Sequence, residues 1–572
     1  MAEAFSQQAS IEIDGAPLES SVEPLLESMD VDDSATAPDM AVLVFRDVDR
    51  TAFADARIRI GSTIAIKAAP IGGSEPSPIF KGEVTGLEAA FTESGTLAVV
   101  RGYDPSHRLF RGRITKTYAG MKDSDIAAEI AGRVGLNVGT IDDSGPVHEY
   151  VSQHNQTDME FLRGRASEIG FEVGVRDGLF EFRRPAESAA GPAAGDYDSE
   201  DPLQLVFGLD LVEFHPRVTS AGQVQRVQTR GWDPVKKEPV VGEAATGTTS
   251  TDVPSKPADL AAVFGDQLVV ATDQPLRSQA AVDAAARSLA EQIGNSSVEA
   301  EGIARGNPRI KPGVAVSISV VGDPFTGRYV VTSATHRFTP QGFRTHFVVS
   351  GRLDRSLLSL AGGNGHGPGR EARVTGVVCA LVTNNDDPEG LGRVKLKFPW
   401  LSDEYESDWA RLAAPGAGPE SGVIFLPHVN DEVLVAFEHG DIRRPYVIGG
   451  LWNGVDKPRL GDGLFDNGAV KRRGIVSRRG HRVVLFDADG DSGIALLSSD
   501  DTLKIALKET ATEIHVKSDG TILIEGTRDI TVKGSANVSV EASGTLTLKG
   551  QGGVTINSSG VVDVDGSLIQ LN

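Results

Sequence analysis

The sequence predicts a mainly β chain with some α/β character, ending in a triple-stranded intertwined β-helix, a β-prism, built by three copies together. Three observations carry this. The last sixty or so residues repeat every eight. Apolar and polar residues alternate with period two through much of the rest. A stretch at 371–455 reads as short strands separated by Gly/Pro turns, as in a small barrel.

Residues 1–360 read as mixed β with a few helices. Ile11–Ile13, Met40–Phe45, Arg57–Ile60, Thr63–Lys67 and Leu97–Arg101 alternate like half-buried strands. Asp123 or Ser124 is placed to cap a helix with Ile126, Ala127, Ile130, Ala131 and Val134 on one face, stopped by Gly135. Thr157 with Glu160 is a capping box opening a second helix that runs to Ile169 and ends at Gly170. Phe171–Val175 and Leu179–Phe182, joined by Asp177-Gly178, read as a β-hairpin. A third helix runs from about Gln279 to Ile293, capped by Ser278 and stopped by Gly294. Pro185–Pro202 and Gly242–Pro257 read as exposed loops.

Residues 361–371 form a glycine-rich linker, AGGNGHGPG at its start. This run follows no clear parallel strand and opens no helix, so it does not read as a phosphate-binding loop. From 372 to 455, strands are expected at Val374–Thr383, Arg393–Phe398, Trp409–Ala413, Val423–Leu426, Glu432–Phe437 and Pro445–Leu451, a count that suits an OB-fold. Residues 456–511 are a junction with further strands, including Arg482–Phe486 and Ile494–Ser498.

The octads fill 512–572. Their third column is Ile514, Ile522, Ile530, Val538, Leu546, Val554, Val562, and their fifth is Val516, Ile524, Val532, Val540, Leu548, Ile556, Val564. Residues i and i+2 of a strand share a face, so each octad is one short strand with two apolar side chains on one side. The seventh column (Ser518, Gly526, Gly534, Ala542, Gly550, Ser558, Gly566) is small throughout and suits a tight turn. Two apolar residues per strand cannot enclose a core alone. A single-chain β-helix needs longer coils, roughly twenty residues, whereas eight suits three chains winding about one axis. Seven rungs at ~4.7 Å give a needle on the order of 30 Å long. The competing arrangements are a flat or amyloid-like sheet and a single-chain solenoid. In the sixth column Lys517, Glu525, Lys533, Glu541 and Lys549 alternate in sign, so stacked strands pair opposite charges. Leu568, Ile569, Gln570, Leu571 and Asn572 leave an open backbone edge at the blunt end, where a separate tip protein is expected to dock.

The 572 residues suit three or four domains, and the net charge of −23 opposes nonspecific binding to nucleic acid or anionic lipid. The one cysteine, Cys379, excludes an internal disulfide and is expected to be a buried, inert thiol within Val377–Leu381. No apolar stretch approaches the ~20 residues of a membrane span, and the N-terminus lacks a signal-peptide pattern. Synthesis and assembly are therefore expected in the cytoplasm.

Specific residues then carry a resemblance. GRVKLKFPW (Gly392–Trp400), DWARLAAPGAG (Asp408–Gly418) and GVIFLPHVNDEVLVAFEHGDIRRPYVIGGLWNG (Gly422–Gly454) resemble the OB-domain signature of VgrG spike proteins. RGYDPSHRLFRGR (Arg101–Arg113), YVSQHNQTDMEFLRGRASEIGFE (Tyr150–Glu172) and GWDPVKK (Gly231–Lys237) resemble motifs of the phage tail hub family, late control protein D. The family usually carries Trp where this chain has Met159. The resemblance implies that residues 1–360 are a hub of two tube-like β-barrel domains. Three copies then make a pseudo-sixfold ring matching a hexameric inner tube, with the OB-fold as collar and the β-prism as needle. It implies a structural trimeric spike of a contractile injection system that punctures a target envelope on sheath contraction. The implied partners are further copies of itself, an inner tube protein and baseplate or adaptor proteins at the hub, a PAAR-like tip protein at the C-terminus, and a target membrane met only on firing. The particle, whether released extracellularly, phage-like or of the type VI kind, is left open, with a lean toward the first two.

The residues do not point to an enzyme, a cofactor or a metal. The junction of about 55 residues is short for a hydrolase domain of ~100–150 residues, and the chain stops after the last repeat. The alternative is a spike that also hydrolyses peptidoglycan in a phage-like tail. His148-Glu149 lacks the second histidine of a zincin motif, and His481 and His515 stand alone. Trp400, Trp409 and Trp452 with Arg443-Arg444 could serve a nucleic-acid-binding barrel. The acidic balance removes the usual electrostatic contribution, and packing of these tryptophans in the barrel or against other chains is expected instead.

Overall fold

Strands form where alternation buries every second residue. The computed structural model describes residues 9–70, 75–93, 95–195, 201–233, 236–272, 274–351, 374–460 and 463–571; the linker expected at 361–371 and the terminal Asn572 lie outside these. The chain divides into two units, Met1–Asn453 and Gly454–Asn572, each described by itself.

Eight strands make the main wall of the first unit: β1 (Leu26–Ser34), β2 (Met40–Arg46), β3 (Ser77–Thr92), β4 (Gly95–Tyr103), β5 (Leu211–Val218), β6 (Val298–Arg305), β7 (Ser333–Thr339) and β8 (Gly342–Val349). Their order is β5-β6-β8-β7-β1-β2-β4-β3, and Thr63–Ala68, Ala9–Ile13 and Ala16–Pro17 extend the sheet past the first part of β3. Every pairing within the wall is antiparallel. One face is apolar: Met29, Leu43, Phe45, Phe338 and Phe343 are buried in one cluster. Each large side chain buried there gains ~1.5–3 kcal/mol over exposure. The Phe338 and Phe343 rings stack with centroids 4.0 Å apart. The other face carries paired charges, including Arg337 with Asp30 at 2.8 Å, Arg101 with Glu88 at 2.6 Å and Arg217 with Glu299 at 2.5 Å.

The wall is one four-strand unit used twice, β1–β4 and then β5–β8. Leu26 pairs with Phe45 and Leu211 with Ala304, and in both cases a register shift follows before Ser28 or Glu213. The hairpins close alike, Thr92 opposite Gly95 and Thr339 opposite Gly342. Asp30 and Asp32 of the first unit thereby correspond to His215 and Arg217 of the second. The strand expected at Arg57–Ile60 is instead a turn, with Arg57 at φ 55° after a short helix.

Between β4 and β5 lie α1 (Asp123–Arg133), α2 (Asp158–Ile169) and the hairpin Glu172–Arg176/Leu179–Arg183. The cap of α1 differs from expectation: the helix starts at Asp123, and Asp125 accepts from the Lys122 N–H at 3.1 Å. The α2 capping box forms as read, with Glu160 N–H donating to Thr157 Oγ1 at 3.1 Å and Thr157 N–H to Glu160 at 2.9 Å. Gly170 ends α2 at φ 71°. Asp177 and Gly178, at φ 51° and 79°, make the primed turn of the hairpin. Between β5 and β6, α3 (Gln279–Asn295) is capped by Ser278 and packs on the strands Arg226–Asp233 and Glu238–Ala245. It runs through Gly294 rather than stopping there, because a Cβ at Gly294 would lie 2.0 Å from the Gly247 carbonyl oxygen: the glycine serves close packing. The loop expected at Gly242–Pro257 is partly strand, through Ala245 and again at Thr251–Asp252.

The barrel strands are β9 (Val377–Asn384), β10 (Lys395–Lys397), β11 (Arg411–Leu412), β12 (Glu432–Phe437) and β13 (Pro445–Gly450), in the order β10-β9-β12-β13-β11. Val382, Leu396, Phe398, Val435 and Val447 fill the core. Val423–Leu426, expected as a strand, finds no ladder partner among the described residues, and Ile424 is 83% exposed. Cys379 is exposed, not buried: β9 turns Ala380 and Val382 inward, so the alternation sends Cys379 out. Trp400 and Trp452 are exposed as well, and Trp409 is half-buried beside the Arg393 and Lys395 side chains.

In the second unit an antiparallel meander runs β14 (Arg472–Val476), β15 (Arg482–Ala488), β16 (Asp491–Leu497), β17 (Leu503–Lys508) and β18 (Glu513–Ser518). It crosses the expected 511/512 boundary, since the first octad strand is its last member.

Candidate functional site

The candidate site is the segment 472–571, a meander followed by the octads. In the meander, register aligns two apolar columns on one face. Val483 lies opposite Leu496, Leu496 opposite Ile505, and Ile505 opposite Val516; Leu485, Ile494, Leu507 and Ile514 align likewise. Ile514 and Val516 are the first members of the third and fifth octad columns. The apolar stripe read from the octads therefore begins some thirty residues earlier, at β15. The opposite face carries Val484, Ala495 and Ala506, all buried.

Past Ser518 the chain bends at 519–520, 527–528, 535–536, 543–544, 551–552 and 559–560, once per octad and just after the small seventh column. Ser518 and Ser558 each accept from the N–H two residues on at 3.1 Å, which holds the bend. Among the described residues no ladder forms beyond β18. All fourteen column residues, Ile514 through Val564, are exposed by 51–77%. At the end Leu568, Ile569 and Leu571 are exposed too. Backbone groups and apolar side chains thus face outward together, and burying both needs other strands.

The histidines are dispersed. His148 Nε2 meets Asp123 Oδ2 at 2.9 Å, His481 Nδ1 accepts from Ser499 N–H at 3.2 Å, and His515 is half-exposed. Among the described residues no group of three or more His, Cys, Asp or Glu is placed to hold a metal ion. A cavity of about 360 Å³ opens in the first unit among Ser34, Arg163, Phe171, Ser288, Asn295 and Val331.

Two charged clusters were not read from the sequence. Arg165 donates to Asp123 at 2.7 Å and to Glu168 at 2.5 Å, and Glu168 also accepts from Arg443 of the barrel at 3.2 Å. Burial would raise the Asp123 carboxyl, but His148 and Arg165 outweigh it and hold the group at about 2. Asp104 is buried and lies near Asp33 and Asp39; burial first, then the Asp33 charge, pushes it up to about 7, against the pull of the Ser106 hydroxyl and N–H and the Asp39 backbone. Of the first cluster the sequence singled out Asp123 as a helix cap, His148 and the Arg443-Arg444 pair without joining them, and the second left no sign.

Known proteins match in both parts of the first unit. The family described as "Alg8 N-terminal domain" matches residues 5–340, and "Type VI secretion system/phage-baseplate injector OB domain" matches residues 378–452. The chain is 28% identical over 164 residues to the actin cross-linking toxin VgrG1 of Vibrio cholerae, covering 26% of this chain and 15% of that protein. It is 35% identical over 114 residues to the type VI secretion system spike protein VgrG2a of Pseudomonas aeruginosa, covering 19% of this chain and 13% of that one. The match therefore spans well under a fifth of each of these relatives. A lidded PdpA–VgrG complex from Francisella contains a chain of like fold, with TM-score 0.53 and 9% identity over 89% of this chain and 80% of that one. Over more than half of its sequence the chain belongs to the family described as "Alg8 N-terminal domain", and with its injector-type barrel and these relatives it is a member of the VgrG spike protein family.

Proposed function

We propose that this protein is the structural, trimeric spike and hub of a contractile injection system, adapting a hexameric inner tube to a threefold needle that punctures the target envelope when the sheath contracts. The observation that carries this reading is the apolar double column from Val483 to Val564. It is exposed on one chain from Leu485 onward, is regular in spacing, and among the described residues has no ladder of its own past Ser518. Three copies related by a threefold axis turn these columns toward one another and satisfy side chains and backbone at once. The meander then serves as one wall per copy at the needle's base, and the octads wind around the axis beyond it.

Needle core residues are accordingly Ile514, Val516, Ile522, Ile524, Ile530, Val532, Val538, Val540, Leu546, Leu548, Val554, Ile556, Val562 and Val564. At the blunt end Leu568–Asn572 are proposed to seat a PAAR-like tip protein. The hub meets the inner tube and baseplate or adaptor proteins, and the membrane is met only on firing. Assembly takes place in the cytoplasm, and no reaction is assigned to the spike.

Electron microscopy of the purified full-length protein tests this reading. The expected particle is threefold, with a rod on the order of 30 Å contributed by the octads. A particle without a threefold axis, its C-terminal segment splayed, overturns it.

A further inference from the structure

The barrel leaves two apolar surfaces uncovered, and they suit each other. The first is an arm. After β11 the chain runs out through residues 413–426 and returns at Pro427, whose carbonyl accepts from Asn385 Nδ2 at 3.0 Å. Two short strands, Ala417–Gly418 and Ser421–Gly422, fold the arm back on itself. Every residue from 413 to 426 is exposed. Charged residues are 24% of the chain, so about three are expected in this length. The arm has one, Glu420, at its turn. The return leg carries Val423, Ile424, Phe425 and Leu426, which are 42%, 83%, 59% and 45% exposed.

The second surface is the outer face of β9, β12 and β13. Cys379 lies opposite Leu434, and Leu434 opposite Gly449. Val377 shares this face two residues before Cys379, and Ile448 turns outward beside Gly449; they are 53% and 44% exposed. Trp400 closes one side, donating Nε1–H to the Cys379 carbonyl at 3.2 Å while remaining 51% exposed. Gly449 and Gly450 flatten the face, and within the chain neither glycine is required. A Cβ at either would meet no atom within 4 Å, and neither has a positive φ. Glycine at such a place in a strand lets another backbone approach closely.

We infer that the arm 413–426 of one copy lies across the β9–β12–β13 face of the next, with Ile424 and Phe425 covering Cys379, Ile448 and the flat strip at Gly449–Gly450. The occupant is a second copy of this chain, because both surfaces belong to one barrel and neither is covered by the described residues of its own chain. The contact joins two different surfaces, so it runs head to tail and closes into a ring under the threefold axis proposed above, on which this inference rests. Residues 454–471 separate the barrel from β14, so three chains sharing one needle hold their barrels within short reach of one another. A fourteen-residue arm folded in two reaches roughly 20 Å at ~3.3 Å per residue. That exceeds the ~12 Å radius of gyration of a domain of the barrel's size. Cys379, exposed on one chain, is covered in the assembly.

Cys379 is the chain's one cysteine, so a second cysteine placed on the arm reports on this contact. The test co-expresses full-length copies carrying Ile424→Cys with Cys379→Ser under one tag and wild-type copies under another. The purified mixture is treated with a short bismaleimide and run on a denaturing gel. Covalent products that join the two tags are expected. Products at least ten-fold weaker are expected when Val263→Cys, an exposed position in the hub, replaces Ile424→Cys. Sedimentation of the untreated samples separates the two levels of failure. A trimer whose tags stay unjoined, or join equally well from position 263, overturns the arm contact while leaving the trimer. A monomer overturns the trimer itself.

Discussion

Arg443 of the barrel donates to Glu168 at 3.2 Å, and through Glu168 it joins the buried Arg165–Asp123 pair between α1 and α2. The contact ties the barrel to the helical part of the hub through charges that are largely withdrawn from water. Removing one partner of such a group strands the others, which costs ~3–5 kcal/mol.

Asp123→Ala is therefore expected to lower the stability of the first unit by about that amount, read by urea unfolding of the full-length protein at pH 7. The pH dependence has a definite sign. Asp123 is held at about 2, below its unfolded value of 3.8. Its contribution is present above about pH 4 and is lost as pH falls toward 2. The variant should show a flatter stability profile through that window, and an unchanged profile would remove the network from the account.

Asp104 acts in the opposite sense. Its carboxyl is raised from 3.8 to about 7 by burial and by Asp33. A raised acid costs nothing below about pH 4, and its penalty grows until about pH 7, above which it is fully present. Asp104→Asn is expected to stabilise the hub at pH 8 by ~2–4 kcal/mol, with the gain vanishing near pH 4. Thermal unfolding of both proteins at the two pH values measures it.

Val540→Asp places a carboxylate in the fifth octad column, three times per assembly. An unpaired charge in such an interior costs several kcal/mol at each copy. Loss of stable trimers is expected on sedimentation and on unheated SDS gels, whereas an intact, SDS-resistant trimer from this variant would contradict a dry needle core.

Deleting residues 568–572 removes the exposed Leu568, Ile569 and Leu571 from the blunt end. The tip protein is expected to drop out of a pull-down on the spike while the trimer remains. Unchanged co-purification would place the tip contact elsewhere.

How much of this was legible in the sequence depends on how local the pattern is. The octads were legible because two apolar residues at i and i+2, with a small one two further on, repeat within eight residues. The α2 capping box and the Asp177-Gly178 turn were equally local. Cys379 was misread because Val377–Leu381 is apolar at every position, and such a run does not say which residues face in; the inward face belongs to Ala380 and Val382. Val423–Leu426 has strand composition but no ladder partner among the described residues. The tandem wall was invisible because Asp30 and Asp32 correspond to His215 and Arg217: register requires only alternating burial and a shared bulge after Leu26 and Leu211. Asp123 and Arg165 are 42 residues apart, and Glu168 and Arg443 are 275 apart, so no window of sequence could join them.

The central claim is that three chains are needed to bury what one leaves exposed. Sedimentation equilibrium of the full-length protein at neutral pH measures this directly. The account predicts a single species at three times the 60.4 kDa chain mass. A monomer whose residues 513–571 are nevertheless protected from hydrogen exchange would contradict it.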